Sequence, residues 1–247
     1  MHGGFSVLLA PMALFGHSSA VVISTQDAEA SAEAWTTLGF SGITPTEGGS
    51  RSAIRMTDGQ LFVTLLEEEF NSPSLACFTA SLDRVLQRCR DKGVPVDASD
   101  RSNVVVPVPG GQQIFLHHRD AQLTLRPDKT QNQVLGYFDV LLVRVPDVAV
   151  ARQWAERAGF LVENESTIGP SRVDMTDGVS RIGFLQSEQL GSELVYITEL
   201  DGAFVDDITE VFADNATVYR LPDGTPTMVR LCMPEGTWLT IVADDDE

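Results

Sequence analysis

The sequence predicts an α+β chain of four βαβββ modules paired into two similar domains. Three observations carry this. Met-Thr-Asp-Gly occurs at 56–59 and again at 175–178, an offset of 119 (175 − 56 = 119). Each copy sits between β-rich runs, "RSAIRMT" and "LFVTLLE" in the first, "RVDMT" and "SRIGFLQ" in the second. Upstream of each, a strand ends in Asp and a helical pattern closes on Gly-Phe: Asp27 with Gly39-Phe40, and Asp147 with Gly159-Phe160, offset by 120.

The first module starts with "AVVIST", a β-rich run ending near Asp27, a good helix N-cap. Ala28, Ala32, Trp35 and Leu38 then fall on one helical face, and Gly39 stops the helix. "FSGITPT", "RSAIRMT" and "LFVTLLE" supply three strands, with Asp58-Gly59 as a tight primed hairpin turn where Gly accepts positive φ. The second module is more divergent. "LACFTA" leads to a helix with Leu82, Val85, Leu86 and Cys89 on one face, ending at Gly93. "NVVVPV" and "QQIFLHH" follow, joined at Gly110-Gly111.

The third module repeats the first: "FDVLLVRV", Asp147 as cap, and a helical face of Val148, Ala151, Ala155 and Ala158. The fourth opens with "ELVYITE" and a helix carrying Phe204, Ile208, Val211 and Phe212. It closes with "TVYRL", "TMVRLCM" and "TWLTIVA", the last turn being Glu235-Gly236. The expected boundaries are a first domain at 1–120 with an N-terminal arm at 1–18, a polar linker at 121–132 containing Pro127, and a second domain at 133–247. "FSVLLAPMALF" has the length of a secretory apolar segment, but no Lys or Arg precedes it and Pro11 interrupts it. It reads as an extra strand or arm packed on the first domain.

Composition narrows the function. The chain has 247 residues, is 43% hydrophobic and carries a net charge of −18. The acidity is uneven: 8 basic and 13 acidic residues in 1–120, against 9 and 22 in 121–247. Phosphate backbones and anionic membranes repel such a surface, so neither nucleic acid nor membrane is an expected partner. Cys77, Cys89 and Cys232 are odd in number and widely spaced, which gives no disulfide framework and no paired metal knuckle. They read as structural thiols in a reduced, cytoplasmic setting.

With its four modules in two pairs, the chain resembles a two-domain member of the glyoxalase/bleomycin-resistance/extradiol-dioxygenase superfamily, the vicinal oxygen chelate fold. The resemblance covers about residues 19–118 and 137–243. It implies two glyoxalase-like domains with cup-shaped mixed sheets. In that family a cup usually holds a divalent metal chelated by a vicinally oxygenated substrate. Members that use metal place His, Gln or Glu near the start of a module's first strand and in its last strand. Here those points carry Ala20 with Val63 or Thr64, Ser74 with Phe115, Val140 with Ile182 or Gly183, and Ser192 or Glu193 with Thr240. Only Glu193 is a credible donor, and one carboxylate does not hold a catalytic ion. The expectation is therefore no metal and no cofactor.

Other side chains of the last strands are candidates for the cups. His117 lies two residues past Phe115 and shares its strand face, while His118 points the other way. Glu67 and Gln186 match across the repeat (186 − 67 = 119) and are expected at the two cup rims. Trp238 lies two residues before Thr240, either lining the second cup or packed in the core. The reading that follows is a metal-independent protein, monomer or homodimer, that binds a small organic molecule in a sheet cup, as an antibiotic-sequestering or other ligand-binding protein. Thr64, Phe115, Trp238 and Thr240 are its expected contacts. The alternative is a lyase or isomerase of glyoxalase type, or a ring-cleaving dioxygenase, with non-standard residues. In that case Glu67 and His117 supply acid–base chemistry in the first cup.

Overall fold

The computed structural model describes residues 13–43, 53–98, 104–118, 134–167 and 169–244. The first module runs β1 (Ser18–Ser24), α1 (Ala28–Thr37), β2 (Ser41–Gly42), β3 (Ala53–Thr57) and β4 (Phe62–Leu66). The second is β5 (Ser74–Thr79), α2 (Leu82–Lys92), β6 (Asp97–Ala98), β7 (Val104–Pro107) and β8 (Gln113–His118). In the other half, β9 (Tyr137–Val145), α3 (Val148–Arg157), β10 (Leu161–Ser166), β11 (Arg172–Thr176) and β12 (Arg181–Gln186) form the third module. The fourth is β13 (Gly191–Thr198), α4 (Gly202–Phe212), β14 (Ala216–Arg220), β15 (Pro226–Cys232) and β16 (Trp238–Ala243).

Each half closes into one eight-stranded mixed sheet, ordered β2-β3-β4-β1-β5-β8-β7-β6 and β10-β11-β12-β9-β13-β16-β15-β14. The orders are identical element by element, as a duplicated unit requires. The helices begin where the sequence places them. Asp27 Oδ1 accepts from the Ala30 N–H at 2.9 Å, and Asp147 Oδ1 accepts from Ala149 and Val150 at 2.8 and 3.1 Å. Each satisfies amides that have no intrahelical acceptor. The helical faces are largely those expected, with differences in three helices. In α1, Ser31 is buried and Ala32 only partly so. Trp154 is buried beside Ala151 and Ala155, and in α4 the buried stripe is Val205, Ile208 and Phe212. Val211, one position off that stripe, is exposed.

Strand alternation separates two faces. Leu141 and Val143 of β9 enter the main core, whereas Val140 and Leu142 form a separate apolar cluster with Val195 of β13. The helices α1 and α3 contact β3 with β4 and β11 with β12, on the main-core side. The opposite face is the cup face. This settles the ambiguous points. Thr64 and Gly183 face the cups, while Val63 and Ile182 are buried in the main core.

The main core runs without a break through both halves, and the repeated hairpins help to join them. The strands pair as far as Thr57 with Phe62, so the turn is a four-residue loop and not the tight two-residue turn expected. Asp58 Oδ1 closes it by accepting from the amides of Gln60 and Leu61, both at 2.8 Å. Asp177 does the same for Val179 and Ser180 at 2.9 and 2.8 Å. Gly59 and Gly178 take φ of 94° and 84°. Each hairpin is buried against the other half. The Tyr196 hydroxyl donates to Asp58 Oδ2 at 3.4 Å, and Asp177 lies beside Cys77, whose thiol is pushed up by burial and then by that carboxylate. Tyr196 and Cys77 are themselves matched in the repeat (196 − 77 = 119). Met-Thr-Asp-Gly thus recurs because each domain uses the same turn to dock on its twin.

Of the arm at 1–18, only residues 13–18 are described. Residues 13–17 form no strand. Leu14 and Phe15 are buried, Phe15 lies 6.3 Å from Phe160 of the second half, and Arg88 donates to the carbonyls of Ala13 and Leu14. The rest of the apolar run and the linker at 121–132 fall outside the described residues.

Candidate functional site

The first cup is built in rows across β3, β4, β1, β5 and β8. Register places Arg55 beside Thr64, Thr64 beside Val22, and Val22 beside Ser74. The next row holds Phe62, Ala20, Ala76 and Phe115, and the next Ser18, Phe78 and His117. A depression with about 430 Å³ of empty space, its open mouth included, lies on this face. Ala20, Ile43, Phe62, Phe78, Thr64 and Arg55 are among its lining residues. Its wall is mostly apolar, with a few hydroxyls and one cation. Among the described residues, the Arg55 guanidinium and the side chains of Thr64, Ser18 and His117 make no hydrogen bond or ion pair. Burial, with the Arg55 charge second, holds the His117 imidazole below its ordinary value of 6.5. His117 stacks on Phe78, with ring centroids 5.5 Å apart.

The second cup has the same rows and a different content. Arg55 is matched by Asp174, Thr64 by Gly183, Ser74 by Glu193 and Phe115 by Thr240. Glu193 Oε2 accepts from Thr240 Oγ1 at 2.9 Å and from Arg230 at 3.0 Å, and Oε1 accepts from Arg144 at 3.2 Å. Arg230 also lies over the Trp238 ring, 4.5 Å from its centroid. Nearer the rim, Arg172 binds Asp174 at 2.9 Å, and Arg181 binds Glu163 at 2.7 Å and also Asp139. Gly183 makes room for this. A Cβ there would fall 2.6 Å from Asp174 Oδ1 and 2.8 Å from Leu142 Cδ1. Apart from Arg230 Nε, which is buried without a hydrogen-bond partner among the described residues, these polar groups of the second cup satisfy one another over a small apolar floor.

The sequence-derived site residues divide accordingly. Thr64 lines the first depression; Phe115 is on the same face one row away, edge-on to Phe70 at 5.2 Å. Thr240 and Trp238 are both on the second cup face, engaged by Glu193 and Arg230. Glu67 is not at a cup rim. Its Oε1 accepts from the Ala28 N–H at 3.2 Å, at the N-terminus of α1, where a carboxylate complements the helix dipole. His117 sits level with Ser18 and Glu67 lies beyond Ser24, so roughly 20 Å of strand separates them at ~3.3 Å per residue. The two do not form an acid–base pair. Arg55 is the residue that sequence reasoning passed over. Its signal was present in the aligned repeat, where "AIRMTDG" meets "RVDMTDG" and a cation faces a carboxylate at the same position.

A divalent ion does not fit the donors found here. Among the described residues no group of three or more His, Cys, Asp or Glu side chains converges. The cup points of the first half offer Ala20, Ser74, Thr64 and Phe115. Those of the second half offer Val140, Gly183, Thr240 and Glu193, and Glu193 already holds two arginines. No described helix is long and apolar enough to cross a membrane.

No protein-family model matches the chain, and no curated protein matches it in sequence. Solved structures do match in shape. Homoprotocatechuate 2,3-dioxygenase from Arthrobacter globiformis superposes with a TM-score of 0.64 at 14% identity, over 95% of this chain and 81% of that one. A 2,3-dioxygenase from Pseudomonas sp. KL28 gives 0.61 at 13% identity, over 95% and 94%. A catechol 2,3-dioxygenase gives 0.56 at 15%, over 91% and 86%. The chain therefore has the two-domain fold of the vicinal oxygen chelate type, which the sequence led us to expect.

Proposed function

We propose that the protein binds a small organic molecule in its first cup without a metal ion. The observation that carries this is the contrast between the cups on one fold. The first has an open, mostly apolar depression in which Arg55, Thr64 and Ser18 have no hydrogen-bonding or ionic partner among the described residues; the second has most of its polar groups paired with each other. A concave apolar surface with a few unsatisfied polar anchors is what a small-molecule site requires. The alternative, a ring-cleaving dioxygenase, is supported by structural neighbours named 2,3-dioxygenases. Shape alone does not transmit chemistry, and the described residues of neither cup assemble a metal-ligand set.

Native mass spectrometry with metal analysis, on untagged protein before and after incubation with Fe(II), Mn(II) and Zn(II), tests the reading. The expected result is no stoichiometric metal. One ion per chain, lost in Glu193→Gln, would overturn it.

A further inference from the structure

We infer that the first cup selects a small organic carboxylate, with Arg55 as its anchor and an aromatic or branched aliphatic body lying on Phe62, Phe78 and Ile43. This rests on the first cup being a binding site, and names the ligand class.

The chain carries a net −18, and every other described arginine on a cup face is held by at least one carboxylate: Arg144 and Arg230 by Glu193, Arg172 by Asp174, Arg181 by Glu163 and Asp139. Arg55 is half-buried in the wall of a depression and has no such partner among the described residues. Withdrawing a guanidinium from water without a counter-charge is unfavourable, and an incoming anion relieves that cost.

Geometry then selects the anion. A guanidinium presents parallel N–H donors that match the two oxygens of a carboxylate. Thr64, its cross-strand neighbour, adds an unengaged hydroxyl that can donate a further hydrogen bond. Beyond this polar end the lining turns to Phe62, Phe78 and Ile43, which suits an apolar body. The His117 imidazole, held toward its neutral form, places no second fixed cation in the cup, so the site is matched to a single negative charge.

The test is an NMR titration with benzoate and its uncharged analogue benzamide, on the wild-type chain, Arg55→Gln and Arg55→Lys. Benzoate is expected to shift the amides of Thr64 and Phe78. Its Kd should weaken about tenfold or more in Arg55→Gln, as for loss of a charge-assisted pair, with partial recovery in Arg55→Lys. Benzamide should bind more weakly than benzoate and be indifferent to the substitution. If benzoate and benzamide bind the first cup equally well and Arg55→Gln changes neither, the carboxylate assignment fails while the cup remains a binding site. If neither probe moves Thr64 or Phe78, the first-cup reading fails with it. Arg55 has no partner among the described residues to leave stranded, so Arg55→Gln should keep a folded spectrum; if it does not, Arg55→Lys is read instead, where a benzoate Kd weakened severalfold with benzamide unchanged supports the anchor and an unchanged benzoate Kd counts against it.

Discussion

One face of each sheet carries the same rows of positions, filled in opposite ways. At the matched place before Met-Thr-Asp-Gly the first half has Arg55 and the second Asp174. Ser74, a hydroxyl bonded to the Asn71 carbonyl at 2.7 Å, stands where the second half has Glu193 with two arginines. Duplication supplied two cups on one backbone, and side-chain pairing decided which stayed open. Polar groups that bond one another stabilise a fold; polar groups left unengaged over an apolar floor are available to a ligand.

The largest test of this contrast is Glu193→Ala. It leaves Arg144 and Arg230 facing each other without their carboxylate and frees the Thr240 hydroxyl. We expect a loss of about 2–3 kcal/mol in urea unfolding, below the value for a fully buried pair because both arginines keep some solvent contact. Arg55→Gln, by contrast, should stay within about 0.5 kcal/mol of wild type. Similar losses for both would mean that Arg55 is a structural residue and that the cups do not differ as described.

A smaller effect is expected at the matched pair Gly183 and Thr64. Gly183→Ala drives a methyl into Asp174 and Leu142, at 2.6 and 2.8 Å, and should cost about 1–2 kcal/mol in the same assay. Thr64→Ala removes a hydroxyl with no described partner and should be nearly neutral in stability. Equal tolerance at both positions would show the second cup to be looser than its contacts imply.

The smallest effect is on a proton. His117 is held below its ordinary 6.5 by burial first and by Arg55 second. Its folded form therefore takes up a proton at lower pH than the unfolded chain does. The corresponding stability is present in full above 6.5 and is lost as the pH falls from there through the folded value. Arg55→Gln should move the His117 titration upward, read from its imidazole Cε1–H resonance, without restoring it fully because burial persists. An unmoved titration would show that Arg55 does not reach this end of the cup.

Much of this was legible in the sequence. The four modules, both hairpins and the Asp caps followed from local rules: apolar period, cap residues and Asp-Gly turns act over a few residues. Val211 falls outside the buried stripe because one position on a 3.6-residue period is enough to turn a side chain to solvent. The site was less legible because its determinants are non-local. Glu67 caps a helix 39 residues upstream, which no strand pattern reveals. The isolation of Arg55 depends on which carboxylates other strands bring near, and it showed only in the mismatch between the two aligned repeats.

If the cups differ in this way, the first receives a carboxylate and the second is closed by its own ion pairs. Anomalous diffraction from crystals soaked in 4-iodobenzoate tests it most directly. The predicted result is an iodine peak beside Phe62 and Phe78, with the carboxylate on the Arg55 guanidinium and no peak in the second cup. A peak over Trp238, with the carboxylate drawn to Arg144 or Arg230 in place of Glu193, would contradict it.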